Sequence, residues 1–318
     1  MTGHTLTAQQ KKRTGIGGVI REFVTNRHLY LMLLPGVVWF IIFCYMPLYG
    51  ITVAFKKFDF GLGITGSPFV GLDNFKFLFT YDGIGRVFFN TIYLNVLFLV
   101  STTVISVTLA IMFSELRNKW FKRITQSIAI LPHFISWAVV SMVLQAFVGT
   151  NGLINQLLKS LGLSTINFYN EPGVWPLIFV VLRIWIGCGF GTVTYIAAIT
   201  GFDTSMYEAA RVDGATRLQQ IFRITLPLLK PTVVILTIMG VGGIFRGDFG
   251  MIYAMVRDTS KLFPTTDVID TFVYRALRQM NDLGMSTATS VFQSVVGCIL
   301  VIATNALARK LDAETALF

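Results

Sequence analysis

Six apolar runs dominate this chain of 318 residues, and each is long enough to cross the ~30 Å hydrocarbon core of a bilayer. The first is Leu29 to Phe55, without a single charge. The second is Asn90 to Phe113. The third lies in the uncharged stretch Ile124 to Leu158, with its membrane part placed at Ser127 to Val148. The fourth, Trp175 to Thr200, is interrupted only by Arg183. The fifth starts at Leu228 or Pro231 and runs to about Phe245, and the sixth is Leu283 to Ala308. Lipid offers the backbone no hydrogen-bond partners, so runs of this kind fold as helices. The expected fold class is all-α: a polytopic membrane bundle of six transmembrane helices. Only 13% of the residues are charged and 54% are hydrophobic, against about 25% charged in a soluble domain. A soluble fold of this size could not hide that much apolar surface. The first run is too long for a signal-peptide core and ends in no small-residue cleavage site.

The net charge of +10 would point to nucleic acid in a soluble protein. Here the distribution of cations explains it better. With the N-terminus in the cytoplasm, 15 of the 26 lysines and arginines fall on inside segments, ten fall on the generally longer outside loops, and Arg183 is in a span. That bias puts both termini inside. The outer loop before the sixth span fits least, because it holds Arg246, Arg257, Lys261, Arg275 and Arg278. Three parts follow: a basic cytoplasmic tail over residues 1–28, a membrane domain over 29–308, and a short cytoplasmic tail over 309–318. The expected location is a cytoplasmic membrane crossed several times. In the third outer loop, Leu153, Ile154, Leu157, Leu158 and Leu161 share one helical face, with Asn155, Gln156, Lys159 and Ser160 on the other. This predicts a short helix lying on the membrane interface.

Catalytic signals are missing. Cys44, Cys188 and Cys298 fall inside apolar runs with no C-x-x-C. His4, His28 and His133 form no metal-ligand spacing. The sequence has no G-x-x-x-x-G-K-[ST] phosphate loop, no H-E-x-x-H and no G-x-S-x-G. The chain is therefore expected to be non-catalytic and to hold no cofactor or metal. If it pumps, ATP and magnesium belong to another subunit.

One polar stretch stands out between the fourth and fifth spans, over residues 203–230. Ser205 and Glu208 have the S-x-x-E spacing that starts a helix. Ala209 and Ala210 give that helix a bare surface, and Gly214 fits its end, where positive φ is tolerated. Thr216 and Gln219 repeat the capping spacing. Leu218, Ile221, Phe222 and Leu226 then form one apolar face suited to lie on the membrane domain. Read from these residues alone, the stretch is an amphipathic helical hairpin.

Its details carry a resemblance. Glu208-Ala209-Ala210, Gly214 and Ile224-Thr225-Leu226-Pro227 fall at the spacing of the EAA loop, so the stretch resembles the cytoplasmic loop of binding-protein-dependent ABC transporter permeases. "FVGLDNFKFLF", "FFNTIYLNV" and "NGLINQLL" are similar to the carbohydrate-uptake branch of that family. The resemblance implies a type I importer fold. It also implies a second permease subunit, usually a different one, two ATPase subunits, an extracytoplasmic solute-binding protein and a carbohydrate substrate. It assigns ATPase coupling to Glu208, Ala209, Ala210, Arg211, Asp213, Gly214, Phe222, Ile224 and Pro227.

For the pathway, Arg183 is the one ionisable residue well inside a span, at a cost of roughly 2.5–3.5 kcal/mol unless it faces protein or water. Arg246 and Asp248 are expected at a similar depth, flanked by Trp185, Phe245 and Tyr253. These residues suit either a polar patch for sugar hydroxyls or carboxylates, or an Arg–Asp pair that holds two spans together. G-x-x-x-G pairs at Gly187/Gly191 and Gly243/Gly247 predict close helix packing. Pro132 predicts a kink, and His133 an interior hydrogen bond. Among alternatives, a permease of this fold could carry a non-sugar solute. A secondary carrier would bury acidic or histidine chains that these spans lack, and an enzyme would need convergent nucleophiles.

Overall fold

The computed structural model describes residues 24–80 and 83–311; the basic arm bearing Lys11, Lys12, Arg13 and Arg21 and the end of the C-terminal tail lie outside them. The described residues form helices throughout, with one isolated antiparallel bridge between Lys56 and Phe69. Among the described residues, six helical stretches are long and apolar enough to cross a membrane: Arg27–Phe55, Ile84–Glu115, Trp137–Ser160, Pro172–Thr200, Arg217–Val241 and Leu283–Lys310. The all-α, six-span reading therefore holds.

Up to Thr52 the chain is a unit of its own. Helix α1 (Arg27–Phe40) opens into a π turn (Ile41–Tyr45) and then a tighter 3-10 stretch (Met46–Phe55). The π turn has a local cause. Proline lacks an N–H, and its ring clashes with the carbonyl four residues earlier. Pro47 would meet Phe43, the midpoint of the turn. Widening the helix by one residue takes that carbonyl out of the way.

From Val53 onward a second unit begins. Its centre is a parallel pair, α2 (Ile84–Glu115) and α6 (Trp175–Thr200). Gly187 lies against Thr102 and Gly191 against Ser106, where a Cβ on Gly191 would stand 2.7 Å from the serine Oγ. Ser106 Oγ donates to the Cys188 carbonyl at 3.2 Å, and Thr192 Oγ1 reaches the Ser106 carbonyl at 3.3 Å. Small residues let the two backbones approach until polar side chains bridge them, as the first G-x-x-x-G predicts. Gly189 opens another approach on α6. Any Cβ there would sit 1.8 Å from the carbonyl oxygen of Ala129.

Ala129 belongs to α3 (Lys119–Ile130), which stops at Leu131–Phe134 and resumes as α4 (Trp137–Val148). The kink at Pro132 is as expected. At 12 residues, about 18 Å, α4 alone is too short for a bilayer. Since Ala129, next to the end of α3, meets α6 at its middle, the last turn of α3 and the Leu131–Phe134 turn lengthen the crossing beyond α4. The stretch that qualifies by length and apolarity alone, Trp137–Ser160, includes the following helix α5 (Leu153–Ser160) across a turn. His133 is exposed and stacks on Phe190 at 4.4 Å, in place of the interior hydrogen bond expected for it.

Besides short single turns, there follow α7 (Thr204–Val212), α8 (Arg217–Gln220), α9 (Leu226–Val241), α10 (Phe249–Val256), α11 (Ile269–Met280) and α12 (Leu283–Leu311). The second G-x-x-x-G does not sit in a helix, because α9 ends at Val241. The close approaches of α9 come at its end instead. There Gly240 meets Leu99, Gly242 meets Val301, and the Gly242 carbonyl meets Gly297 of α12.

Three buried or half-buried asparagines close the loops at the Trp175 end of the bundle. Asn74 donates to the carbonyls of Ala54 (2.9 Å) and Lys56 (2.8 Å). Asn90 reaches the carbonyls of Phe263, Pro264 and Asp267 at 3.1–3.4 Å. Asn155 donates to Ile166 O (2.9 Å) and accepts from Ile166 N (2.8 Å). In the interfacial helix α5 these bonds bury Asn155, which is 1% exposed, while Gln156, Lys159 and Ser160 stay exposed. An asparagine carries both donors and an acceptor, so it satisfies loop backbone that no helix can pair.

Candidate functional site

Five glycines between Gly240 and Gly250 break the fifth crossing at the depth of Arg183. Side chains from three helices fasten this break. Arg183 Nη1 donates to Asp248 Oδ2 at 2.6 Å, and Asp248 Oδ1 accepts from Met251 N at 3.1 Å, so the same carboxylate caps α10. Asp270 of α11 accepts from the Gly247 N–H and from Gln293 Nε2 (3.1 Å), and Gln293 also donates to the Phe245 carbonyl at 2.7 Å. Gly247 is required here, because a Cβ would come within 2.6 Å of Val268 Cγ2 and 2.9 Å of Asp270 Oδ2. Burial pushes the Asp270 carboxyl above the usual carboxylate range, while the Gly247 and Gln293 hydrogen bonds pull it back.

Two cavities meet at Arg183. One, of about 500 Å³, is lined by His133, Arg183, Gly187, Phe190, Gly191 and Tyr195 among others. The second, of about 420 Å³, is lined by Asn95, Arg183, Gly243, Arg246, Asp248 and Phe249 among others. The structure thus brings together Arg183, Arg246 and Asp248. Arg246 is exposed and reaches Ser294 Oγ at 3.3 Å. Arg183 is paired, and with Arg246, Asp248 and Asp270 the cluster is electrically balanced: an array of donors and acceptors more than a patch of positive charge.

Two expected pathway residues stand elsewhere. Trp185 is two residues from Arg183, roughly 200° around the helix, and is absent from the lining of both cavities. Phe245 packs with Phe88 and Phe292, with ring centroids 6.1 and 6.3 Å away. Sequence reasoning missed Asn95, His133, Phe190 and Phe249. A helical spacing of polar residues, Asn95, Thr102 and Ser106, does mark the cavity face of α2.

At the opposite end of the bundle lies the elbow formed by α7 and α8. Its N-cap is Asp203, which accepts from Ser205 N at 2.9 Å, so Ser205 is inside the helix instead of capping it. Hydrogen bonds from the Ser205 hydroxyl and N–H hold the exposed Asp203 carboxyl below the usual range. Gly214 has φ +80°, and the bonds Ala215 N to Ala210 O (2.8 Å) and Gly214 N to Arg211 O (3.1 Å) make a Schellman stop. Thr216 and Gln219 form the expected reciprocal capping box. The chain then runs without interruption from Arg217 to Val241, through a second π turn at Ile221–Thr225. Pro227 would meet the carbonyl of Arg223, again the midpoint of the turn.

That π turn changes which residues face inward. Ile221, Leu226 and Leu229 pack with Ala110, Ile111 and Tyr195. Leu218 and Phe222 are 67% and 65% exposed, contrary to the single apolar face expected for them. Glu208, Ala209, Arg211, Asp213, Gly214 and Pro227 are also exposed, Ala210 and Ile224 are half-buried, and Val212 is 88% exposed. Arg217 pairs with Glu115 at the end of α2, and Tyr207 OH meets Thr225 Oγ1 at 3.1 Å.

Residues 102–313 match the family described as binding-protein-dependent transport system inner membrane component. The chain is 38% identical to the polygalacturonan/rhamnogalacturonan transport system permease protein YteP of Bacillus subtilis (strain 168), over 92% of this chain and 91% of that one. It is 35% identical to protein LplB of the same organism, over 91% of each. Its fold superposes on a solved bacterial ABC transporter involved in import of the acidic polysaccharide alginate, with TM-score 0.82, 34% identity, and 92% and 99% coverage of the two chains. A second structure of an alginate ABC transporter, in complex with alginate pentasaccharide-bound periplasmic protein, superposes with TM-score 0.80 and 34% identity. With a broken crossing lined by ion-paired side chains at one depth and an EAA elbow at one end, this multi-pass membrane chain belongs to the binding-protein-dependent transport system inner membrane component family, the permease subunits of ABC transporters.

Proposed function

We propose that this chain is one of two membrane halves of a bacterial ABC importer for an oligosaccharide, one that carries acidic sugar residues. The observation that carries the reading is the Arg183–Asp248–Arg246 array at the meeting of two cavities. Paired charges present donors and acceptors side by side, which suits the hydroxyls of a sugar. Phe190 and Phe249, on the cavity walls, suit its apolar faces. The acidity of the substrate is supported by the alginate importer and the polygalacturonan system among the relatives. The cavities are open in the single chain, as a half-site completed by a second permease would be.

The exposed elbow is the docking surface for an ATPase. Ala209 and Ala210 admit a partner's side chains, Glu208 and Arg211 pair with its polar groups, and Leu218 and Phe222 supply the apolar contact. ATP and Mg²⁺ are held by that partner. Both termini and the elbow lie on the cytoplasmic side, and an extracytoplasmic binding protein delivers substrate at the Trp175 end. The test is to purify a tagged copy and reconstitute it. The chain should bring down an ATPase and a second permease, and the complex with its binding protein should take up trigalacturonate in preference to maltotriose only when ATP is present. Uptake driven by an ion gradient without an ATPase would overturn the reading.

A further inference from the structure

The last loop of the Trp175 end holds a group of cations that the distribution of charge across the membrane leaves unexplained. Two of them have structural work. Arg275 pairs with Asp267 at 2.7 Å and lies 4.1 Å over Phe263, and Lys261 reaches Asn170 at 3.1 Å. Arg257 and Arg278 are exposed. They flank a cluster of three rings. Phe249 and Tyr253 stack one helical turn apart on α10 at 5.0 Å, and Tyr274 of α11 closes on both at 4.9 Å. Arg278 Nη1 lies 3.4 Å from Tyr253 OH and its guanidinium 5.8 Å from the Tyr274 ring centre, with Asp258 at 3.7 Å. Arg257 and Tyr253 line a cavity of about 640 Å³. The cluster's other end reaches the central array, because Phe249 follows Asp248 directly and lines the same cavity as Arg183.

We propose that Phe249, Tyr253 and Tyr274, with Arg257 and Arg278 at their outer end, form an entry ramp on which the rings of an acidic oligosaccharide stack before they reach the Arg183–Asp248 pair. Tyrosine suits the task. Its ring offers an apolar face with little conformational entropy to lose, and its hydroxyl remains a hydrogen-bonding group at a wet surface. The two arginines meet the carboxylates of the sugar bidentately. Arg257 has φ +48°, a conformation uncommon outside glycine, at the point where α10 ends. Strain of this kind persists where surrounding structure holds a residue in place.

The ramp rests on the proposed import of oligosaccharides, and uptake kinetics in the reconstituted complex separate the two. Trigalacturonate and its full methyl ester serve as probes. Tyr253→Leu with Tyr274→Leu raises KM for both probes about tenfold or more, with a smaller change in kcat, and Tyr274→Phe stays near wild type. Arg257→Gln with Arg278→Gln raises KM for the free acid about tenfold and leaves the ester within twofold. A Tyr253→Trp variant keeps a stacking ring, and its emission, relative to the wild-type protein, changes on addition of trigalacturonate. Wild-type complex that moves neither probe overturns the import reading and the ramp with it. Wild-type complex that transports normally, with unchanged KM in the leucine pair or an unresponsive Tyr253→Trp, overturns the ramp alone.

Discussion

The two ends of the bundle solve the same problem in opposite ways. At the Trp175 end, loop carbonyls are met by side chains far away in sequence: Asn90 reaches residues 263–267, and Asp267 is enclosed with Arg275 and Thr271. At the elbow, backbone groups are satisfied locally, by Asp203, the Schellman stop at Gly214 and the Thr216 box. Apolar side chains such as Val212, Leu218 and Phe222 are left uncovered there. The first end is tied together by pairings between distant segments of its own chain, although Leu157 and Phe79 are exposed there too. The second has a finished backbone and an unfinished surface, as a handle for another subunit would have.

If that contrast is right, substitutions at the elbow abolish work without unfolding the chain. The largest effect belongs to Ala209→Asp, which places a charge on the bare face. Uptake by the reconstituted complex should fall about 100-fold while the melting temperature of the purified chain moves by no more than a few degrees. A bulky residue at Gly214 should do the same, with an added cost from its positive φ of about 1 kcal/mol. Normal uptake in both variants breaks the comparison.

Substitutions at the stapled end should do the reverse. Asn90→Ala leaves buried carbonyls without a donor and should cost about 2 kcal/mol, read as a lower melting temperature and less protein in the membrane. A smaller effect concerns pH. Burial pushes the Asp267 carboxyl above the usual range, against the pull of Arg275. The folded chain then keeps that proton to higher pH than the unfolded chain. The contribution to stability is greatest at low pH and is lost as pH rises from the ordinary carboxylate range through the raised value. Asp267→Asn should flatten this part of a melting profile taken over roughly pH 4 to 8. Least of all, Arg217→Gln should cost under about 1 kcal/mol, because its partner Glu115 is at the surface. A large loss there would mean that the elbow is held in place by its own chain.

How far these features can be read without coordinates depends on the range of the interactions. Six crossings follow from apolar length, and the helix stop at Gly214 and the box at Thr216 follow from residues within a few positions of one another. Arg183 and Asp248 could be paired because lipid leaves a lone charge few options. The start of α3 at Lys119 is less legible, since its charged residues mask a helix whose other end packs on Gly189. The asparagines stood inside recognisable motifs, but Asn90 finds its partners more than 170 positions away. Nearness in sequence groups Trp185 with Arg183 and Phe245 with Arg246, while helix rotation and the glycine break send them elsewhere. A regular helix would put Leu218 and Phe222 on one face with Ile221 and Leu226, and the π turn ahead of Pro227 interrupts that face.

That π turn has a mechanical consequence. From Arg217 to Val241 the backbone is a single rod of 25 residues, about 37 Å long. One tip carries the uncovered side chains of the elbow and the other ends at the glycines beside Arg183. A displacement of the first tip reaches the second through the π turn ahead of Pro227 and through the turn where Pro231 leaves a carbonyl without its N–H.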